Sequence, residues 1–212
     1  MPNGIVLQTQ ADAPPGLLSE WAERRGLALD VVRVDLAPEL PDPRGYAFAS
    51  VLGSTLSVVR PAEQWIARLL EWLRAADAAG VPVLGICFGA QALAAALGGR
   101  AFRLPAPEIG WIEVETDDES LVPAGPWIAW HEDGFEPPPL ARELARNAYG
   151  SQAFCHRGHL AVQFHPEATR EIVADWNREG RYDFAAPAGA DAAAAAERLF
   201  DGFAARAALT TV

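Results

Sequence analysis

Apolar positions in the first half of the chain follow two alternating spacings. Short runs rich in apolar residues at 5–8, 29–34, 46–52 and 81–86 have the length of strands, and 81–86 is of the kind expected for a strand covered on both faces. Segments of helical period lie between them. Leu17, Leu18, Trp21 and Ala22 recur at helical spacing between Pro15 and Gly26, residue types that suit a helix start and stop. Trp65, Ile66, Leu69, Leu70 and Leu73 fall on one side of a strongly amphipathic helix over 62–80, which feeds directly into the fourth run. The run FGAQALAAAL after it reads as helix again. The alternation predicts an α/β fold with a mostly parallel central sheet and helices on both faces, in which ligands bind at the carboxyl ends of the strands.

From Arg100 onward the texture changes to shorter strand-like segments rich in Pro and Gly. Residues 110–116 alternate Ile112 and Val114 against Glu113 and Glu115, as a half-exposed strand does. Residues 126–135 and 151–169 supply further strands, with the turn 156–159 joining a hairpin. Residues 169–180 read as a helix, 185–190 as an Ala/Pro/Gly linker, and 192–209 as a last helix. Asp191 caps that helix, and Leu199, Phe200 and Phe203 pack it back onto the body. The expectation is one domain over residues 1–212 with a smaller β-rich C-terminal half.

Charge narrows the function classes. With 17 Lys+Arg against 28 Asp+Glu the formal net charge is −11, and the absence of a basic cluster argues against a nucleic-acid partner. The apolar runs are too short and too often broken to span a bilayer, and residues 1–10 lack a signal-type segment, so no membrane partner and a cytoplasmic location are expected. Two cysteines, Cys87 and Cys155, make no disulfide framework in 212 residues, which fits a reducing compartment. No Cys/His spacing points to zinc, and no metal or cofactor is expected.

Cys87 stands where the fourth apolar run turns into helix, flanked by Gly85 and Gly89. Gly-x-Cys-x-Gly at such a junction is similar to a nucleophile elbow, which exposes its reactive atom at the apex of a sharp turn. The helix N-terminus there presents unpaired N–H groups to an anion. A cysteine in an apolar run is more often a small core residue, so partner residues decide. His165 and Glu167 supply them. Leu160, Val162 and Phe164 alternate with Ala161, Gln163 and His165, and residues two apart share a side in extended chain. Pro166 discourages a helical turn at His165, so Glu167 can reach the imidazole and leave its other nitrogen for a thiol. Alone, a His-x-Glu pair is an ordinary loop pair; with Cys87 it completes the logic of nucleophile, base and orienting carboxylate.

GICFGAQ around Cys87, QFHPE around His165, EIGW at 108–111, WHEDGF at 130–135 and RLFDGF at 198–203 occur in the order in which they occur in the class I (triad) glutamine amidotransferases, a family the chain resembles over nearly its whole length. Within that family it is similar to stand-alone proteins of the GMP synthase amidotransferase-domain type. The resemblance implies a flavodoxin-like domain, with Cys87 as nucleophile, His165 as general acid/base and Glu167 as its partner. The thiolate then attacks the side-chain carboxamide of glutamine, ammonia leaves, and water cleaves a γ-glutamyl thioester. The oxyanion is expected on the backbone N–H of Phe88 and, by resemblance, on a donor from the loop at Gly53 and Ser54. Gln91 matches a substrate-holding position; its plainer reading is a helix-surface amide.

Two departures bear on this. Many relatives have Gly-Gly-Pro where this chain has Gly53-Ser54-Thr55, which places Ser54 where glycine geometry is usual. Glu132 stands where relatives often have Gly, which gives His131 a structural role. His156 and His159 read as turn residues and Cys155 as a strand residue. No Gly-x-x-x-x-Gly-Lys-Ser/Thr loop occurs, so ammonia would pass to a separate synthetase subunit. A self-sufficient γ-glutamyl peptidase or hydrolase uses the same residues without a partner. A catalytically weak binding or regulatory module is the reading from outside enzymology.

Overall fold

The computed structural model describes residues 3–187 and 191–209. Residues 188–190, the end of the expected linker, lie outside that range. Five strands form a parallel core: β1 (Asn3–Gln8), β2 (Ala28–Arg33), β3 (Phe48–Val51), β4 (Val83–Ile86) and β10 (His159–Val162). Antiparallel β9 (Gly150–His156), β8 (Arg142–Asn147) and β6 (Glu115–Thr116) extend it, giving the order β2-β1-β3-β4-β10-β9-β8-β6. Between them runs a separate antiparallel ribbon of β5 (Arg100–Ile112) and β7 (Trp127–Glu136). This is the expected flavodoxin-like α/β arrangement with a β-rich second half.

Each face of the sheet has its own core because successive strand residues point to opposite sides. Along β1, Val6 joins one buried cluster and Ile5 and Leu7 the other. Helices α1 (Gly16–Arg24) and α5 (Ala192–Arg206) cover the first face, where Trp21 meets Phe200 at 5.7 Å and Phe48 meets Phe203 at 6.2 Å between ring centroids. Helices α2 (Gln64–Ala78) and α3 (Phe88–Ala96) cover the second, with Trp65 against Phe88 at 5.7 Å. Each such fully buried side chain contributes roughly 1.5–3 kcal/mol. On α2 the buried stripe is rotated from the expected one: Trp72 is inside and Leu70 is only half-buried. Helix α4 (Arg170–Trp176) is capped by Thr169 and α5 by Asp191, whose side chain accepts from the Ala194 N–H at 2.9 Å.

The strand expected at 110–116 is divided. β5 starts at Arg100, crosses a bulge between Arg103 and Glu108 and ends at Ile112, while 115–116 enters the main sheet as β6. Pro105 and Pro107 fall within the bulge, where prolines are tolerated because no ladder N–H is needed. The hairpin between β9 and β10 forms at Arg157 and Gly158 with His156 opposite His159. His159 is not an exposed turn residue. It is buried, its Nδ1 accepts from the Val83 N–H at 3.1 Å, and its Nε2 meets Asp77 at 3.1 Å.

This topology sets the carboxyl ends of β1, β3, β4 and β10 side by side, the place where open α/β sheets bind ligands. Thr9 and Gln10, Gly53 and Ser54, Cys87, and His165 follow those four ends directly.

Candidate active site

Cys87 takes φ 52° and ψ −108° between β4 and α3, a conformation that L residues rarely adopt. Such strain costs of order 1–3 kcal/mol and persists only where surroundings impose it. They do so here. The Cys87 N–H donates to the Val162 carbonyl at 2.8 Å, and α3 runs so close to the sheet that a Cβ on Gly89 would stand 2.1 Å from the Val51 oxygen. Gly85 and Gly89 thus serve close approach, while the unusual backbone angle falls on the cysteine itself. Phe88, the first residue of α3, keeps a backbone N–H without an intrahelical partner. Its ring is buried on Trp65. Both cysteines are free.

His165 and Glu167 come together, though not through strand alternation. β10 ends at Val162, and the pair sits in a turn closed by the Ala168 N–H on the His165 carbonyl at 3.4 Å. Both ends of the turn are tied down. The His165 N–H donates to Ile128 of β7 at 2.8 Å, and the Glu167 carbonyl accepts from the Leu17 N–H of α1 at 2.9 Å. Gly16, at φ +43°, makes the second tie possible, since a Cβ there would meet the Glu167 oxygen at 2.2 Å. The result is a 2.7 Å bond between His165 Nδ1 and Glu167 Oε1, with both side chains buried.

Burial disfavours a charged imidazole at His165. The carboxylate of Glu167 and the sulfur of Cys87, which also hydrogen-bonds the ring, outweigh it and hold His165 well above the usual 6.5. With Nδ1 bonded to Glu167, Nε2 is the nitrogen left for Cys87. The Cys87 Sγ also lies 3.9 Å from the Trp130 carbonyl. Trp176 closes one side of the imidazole, edge-on at 4.8 Å between ring centroids.

The loop after β3 lies against this pair. A Cβ on Gly53 would stand 2.8 Å from His165 Cε1 and 3.8 Å from Cys87 Cβ, so no side chain fits there. The Thr9 hydroxyl donates to the Gly53 carbonyl, and Gln10 Oε1 accepts from the Thr55 N–H at 2.8 Å, the Thr55 hydroxyl at 3.1 Å and the Ser54 hydroxyl at 3.2 Å. Ser54 is not among the residues with positive φ, so the serine imposes no conflict of backbone geometry. Gln91 is buried rather than a helix-surface amide: its Nε2 donates to the Asp133 carbonyl at 2.9 Å and to Gln163 Oε1 at 3.3 Å.

Cys87, His165, Gly53, Ser54 and Gln91 all line one cleft of about 280 Å³. Phe88 and Glu167 stand immediately behind it. Sequence reasoning missed much of its wall: Gln10, Asp12 and Ser57 from the loops, Arg103 from β5, Trp130 and Asp133 from β7, and Trp176 from α4. The signal for Asp133 was present, because WHEDGF alternates on a strand and puts His131 and Asp133 on the buried side with Glu132 outside. His131 reaches the cleft as well, held by Glu108 Oε2 at 2.8 Å and by the Asp133 carbonyl at 2.9 Å.

Comparison with known proteins adds a family to this geometry. A family model described as glutamine amidotransferase class-I matches residues 24–172. The chain is 34% identical over 148 residues to a glutamine-hydrolysing GMP synthase of Aeropyrum pernix, covering 64% of this chain and 29% of that protein. It is 36% identical over 134 residues to the imidazole glycerol phosphate synthase subunit HisH of Symbiobacterium thermophilum, covering 50% and 63%. The chain therefore spans less than two thirds of either relative. A crystal structure of a glutamine amidotransferase from Methylobacillus flagellatus matches with TM-score 0.84 at 25% identity, over 97% of this chain and 94% of that one. One from Thermotoga maritima, at 19% identity and TM-score 0.84 over 99% of both chains, supports the fold alone.

Proposed function

We propose, on the premise that the chain belongs to the class I glutamine amidotransferase family, that it releases ammonia from the glutamine side chain at Cys87 for a separate synthetase subunit. The sulfur of Cys87 adds to the amide carbon, and the carbonyl oxygen takes up negative charge. The Phe88 N–H at the start of α3 and an N–H of the Gly53–Ser54 loop stabilise that oxyanion. His165 gives its Nε2 proton to the amide nitrogen, the C–N bond breaks, and ammonia leaves a γ-glutamyl thioester on Cys87. The neutral imidazole then takes a proton from water, which attacks the thioester and frees glutamate. Glu167 holds the imidazole in orientation and stabilises its charged form. Gln91 borders the substrate.

The observation that carries this reading is one meeting: a cysteine at φ 52° opens into the same cleft as a buried imidazole that is bonded at 2.7 Å to a carboxylate. In this reading residues 1–212 act as a single domain without a cofactor, in the cytoplasm, where both cysteines stay reduced. Among the described residues no helix is long and apolar enough to cross a membrane.

The test is ammonia and glutamate release from glutamine and from γ-glutamyl dipeptides, by wild type and Cys87→Ala. Cys87-dependent release that favours glutamine supports the proposal. Faster cleavage of the dipeptides moves the protein to the γ-glutamyl peptidases. No Cys87-dependent release from either, with candidate synthetases and ATP present, leaves a binding module.

A further inference from the structure

The proposed hydrolysis uses no group from the connection between β1 and α1, residues 9–15, yet that connection ties the two halves of the site together. Toward His165, the Asp12 carbonyl accepts from Trp176 Nε1 at 2.6 Å, the indole that lies edge-on to the imidazole. Toward the loop after β3, the Thr9 hydroxyl donates to the Gly53 carbonyl. The next residue does more. A single atom, Gln10 Oε1, accepts from the Thr55 N–H at 2.8 Å, the Thr55 hydroxyl at 3.1 Å and the Ser54 hydroxyl at 3.2 Å. Gln10 is itself held at both ends: its Nε2 donates to Asp12 Oδ1 at 2.6 Å, and its backbone carbonyl accepts from Gln8 Nε2 at 2.8 Å.

The loop needs such a grip. No residue from 53 to 60 is proline, so nothing in the covalent chain restricts its backbone, and ordering each residue costs about 1–2 kcal/mol. The loop also lies where its exact course matters, since a Cβ on Gly53 would stand 2.8 Å from His165 Cε1 and 3.8 Å from Cys87 Cβ. Its N–H groups divide into two sets. Thr55 spends its own on Gln10, and Leu56 spends its own on the Ser54 hydroxyl at 3.1 Å. Those of Gly53 and Ser54 donate to no acceptor among the described residues. They are the pair that can meet an oxyanion formed at Cys87, and a donor helps there only if it is already aimed.

We infer that Gln10 is a positioning residue for the reaction: its carboxamide oxygen fixes the turn at Ser54 and Thr55 and so aims the free N–H groups of Gly53 and Ser54 at the oxygen that becomes charged when Cys87 attacks. This rests on the reading that Cys87 attacks the amide carbon of glutamine. Gln10 acts through Ser54 and Thr55, and its effect grows with the charge on that oxygen. It therefore belongs to the transition state and to kcat, and little of it to substrate binding.

Gln10→Leu keeps the bulk of the side chain and removes the acceptor. It is expected to lower kcat for glutamine about 10- to 100-fold with KM nearly unchanged, somewhat less than the loss of an oxyanion donor outright. Inhibition by glutamate γ-semialdehyde checks the cause. Its carbonyl carbon bonds to the Cys87 sulfur while the carbonyl electron pair passes to oxygen, so its Ki rises by a similar factor. Alkylation of Cys87 by iodoacetamide forms a C–S bond as iodide leaves and builds no oxyanion, so its rate stays at the wild-type value. Gln10→Glu combined with Asp12→Asn reverses donor and acceptor between the two residues, keeps an acceptor toward the loop, leaves the net charge as it was, and restores part of kcat. A Gln10→Leu protein with wild-type kcat, an equal loss in the iodoacetamide rate, or a double variant as slow as Gln10→Leu overturns the positioning role and leaves the hydrolase reading standing. A wild type that neither turns over glutamine nor is inhibited by the aldehyde overturns both.

Discussion

Two histidine–glutamate pairs border the cleft at nearly the same distance, 2.7 Å for His165–Glu167 and 2.8 Å for His131–Glu108, and all four side chains are buried. They differ in what each pair leaves open. Glu108 accepts from Asn147 at 2.6 Å and Gln152 at 2.9 Å as well as meeting His131, whose other ring nitrogen donates to the Asp133 carbonyl at 2.9 Å. Both oxygens and both nitrogens are in use, so the pair fastens the 131–133 segment of β7 to β5, β8 and β9. His165, in contrast, keeps one nitrogen for Cys87, and Glu167 Oε2 has no protein partner among the described residues. A closed pair fixes position. An open pair can give and take a proton.

The widest separation of the two comes from removing each histidine system in turn. His165→Ala is expected to lower kcat/KM for glutamine by about 10³–10⁴-fold, the range for loss of an acid/base group, with the fold intact by circular dichroism. Retained activity would assign the proton transfers to another group. Glu108→Ala should do the reverse. It strips three donors of their acceptor inside the protein and costs about 3–5 kcal/mol, seen as a fall in urea-unfolding free energy and a Tm lower by about 6–20 °C. Unchanged stability would mean the closed pair is not a structural fastener.

How far each pair was legible follows from chain distance. Glu167 lies two residues from His165, and Pro166 between them restricts the backbone, so the pairing was readable even though a turn rather than a strand makes it. Glu108 and His131 are 23 residues apart, on strands whose register depends on a bulge at 104–107. Nothing local encodes that register. The same holds for Arg103, hidden in a Pro-rich stretch, and for Gln10, whose three contacts with the 54–55 loop exist only because β1 and β3 are neighbours. The parallel half of the fold was legible because its inner strands β1, β3 and β4 are apolar on both faces and its helices amphipathic, although β2 at the sheet edge is largely exposed. The rotated stripe of α2 was not, because Leu70 and Trp72 are both apolar and only packing chooses between them.

Glu167→Gln sharpens the comparison at a smaller scale. The amide still occupies the site but no longer carries charge, and kcat/KM should fall about 10- to 100-fold. Its pH profile is more telling. Glu167 is a leading cause of the raised His165 value, so without its charge the imidazolium is lost at lower pH and the alkaline limb of kcat/KM moves toward acid. Linkage has the same sign: the stability that His165 contributes is whole below its unfolded value near 6.5 and is lost as pH rises through the folded value. An alkaline limb that stays in place would remove Glu167 from the proton transfers.

The smallest effect concerns a third buried histidine, of opposite sign. Burial, the largest influence, pulls His159 below 6.5 against the opposing pull of Asp77, with His156 and Arg157 adding to the depression. Its geometry already demands the neutral ring, since Nδ1 accepts from the Val83 N–H while Nε2 faces Asp77. A charged ring would turn an N–H against an N–H at the strand that leads to Cys87. Its contribution is therefore whole above 6.5 and is lost as pH falls through the folded value, the mirror of His165. His159→Leu leaves the Val83 N–H without an acceptor and is expected to cost about 1–3 kcal/mol at pH 7.5. Urea unfolding of both proteins at pH 7.5 and pH 5 checks the sign: the gap narrows in acid, where wild type must charge a buried ring, and a gap that widens in acid would show that His159 is held charged and that β4 is anchored in some other way.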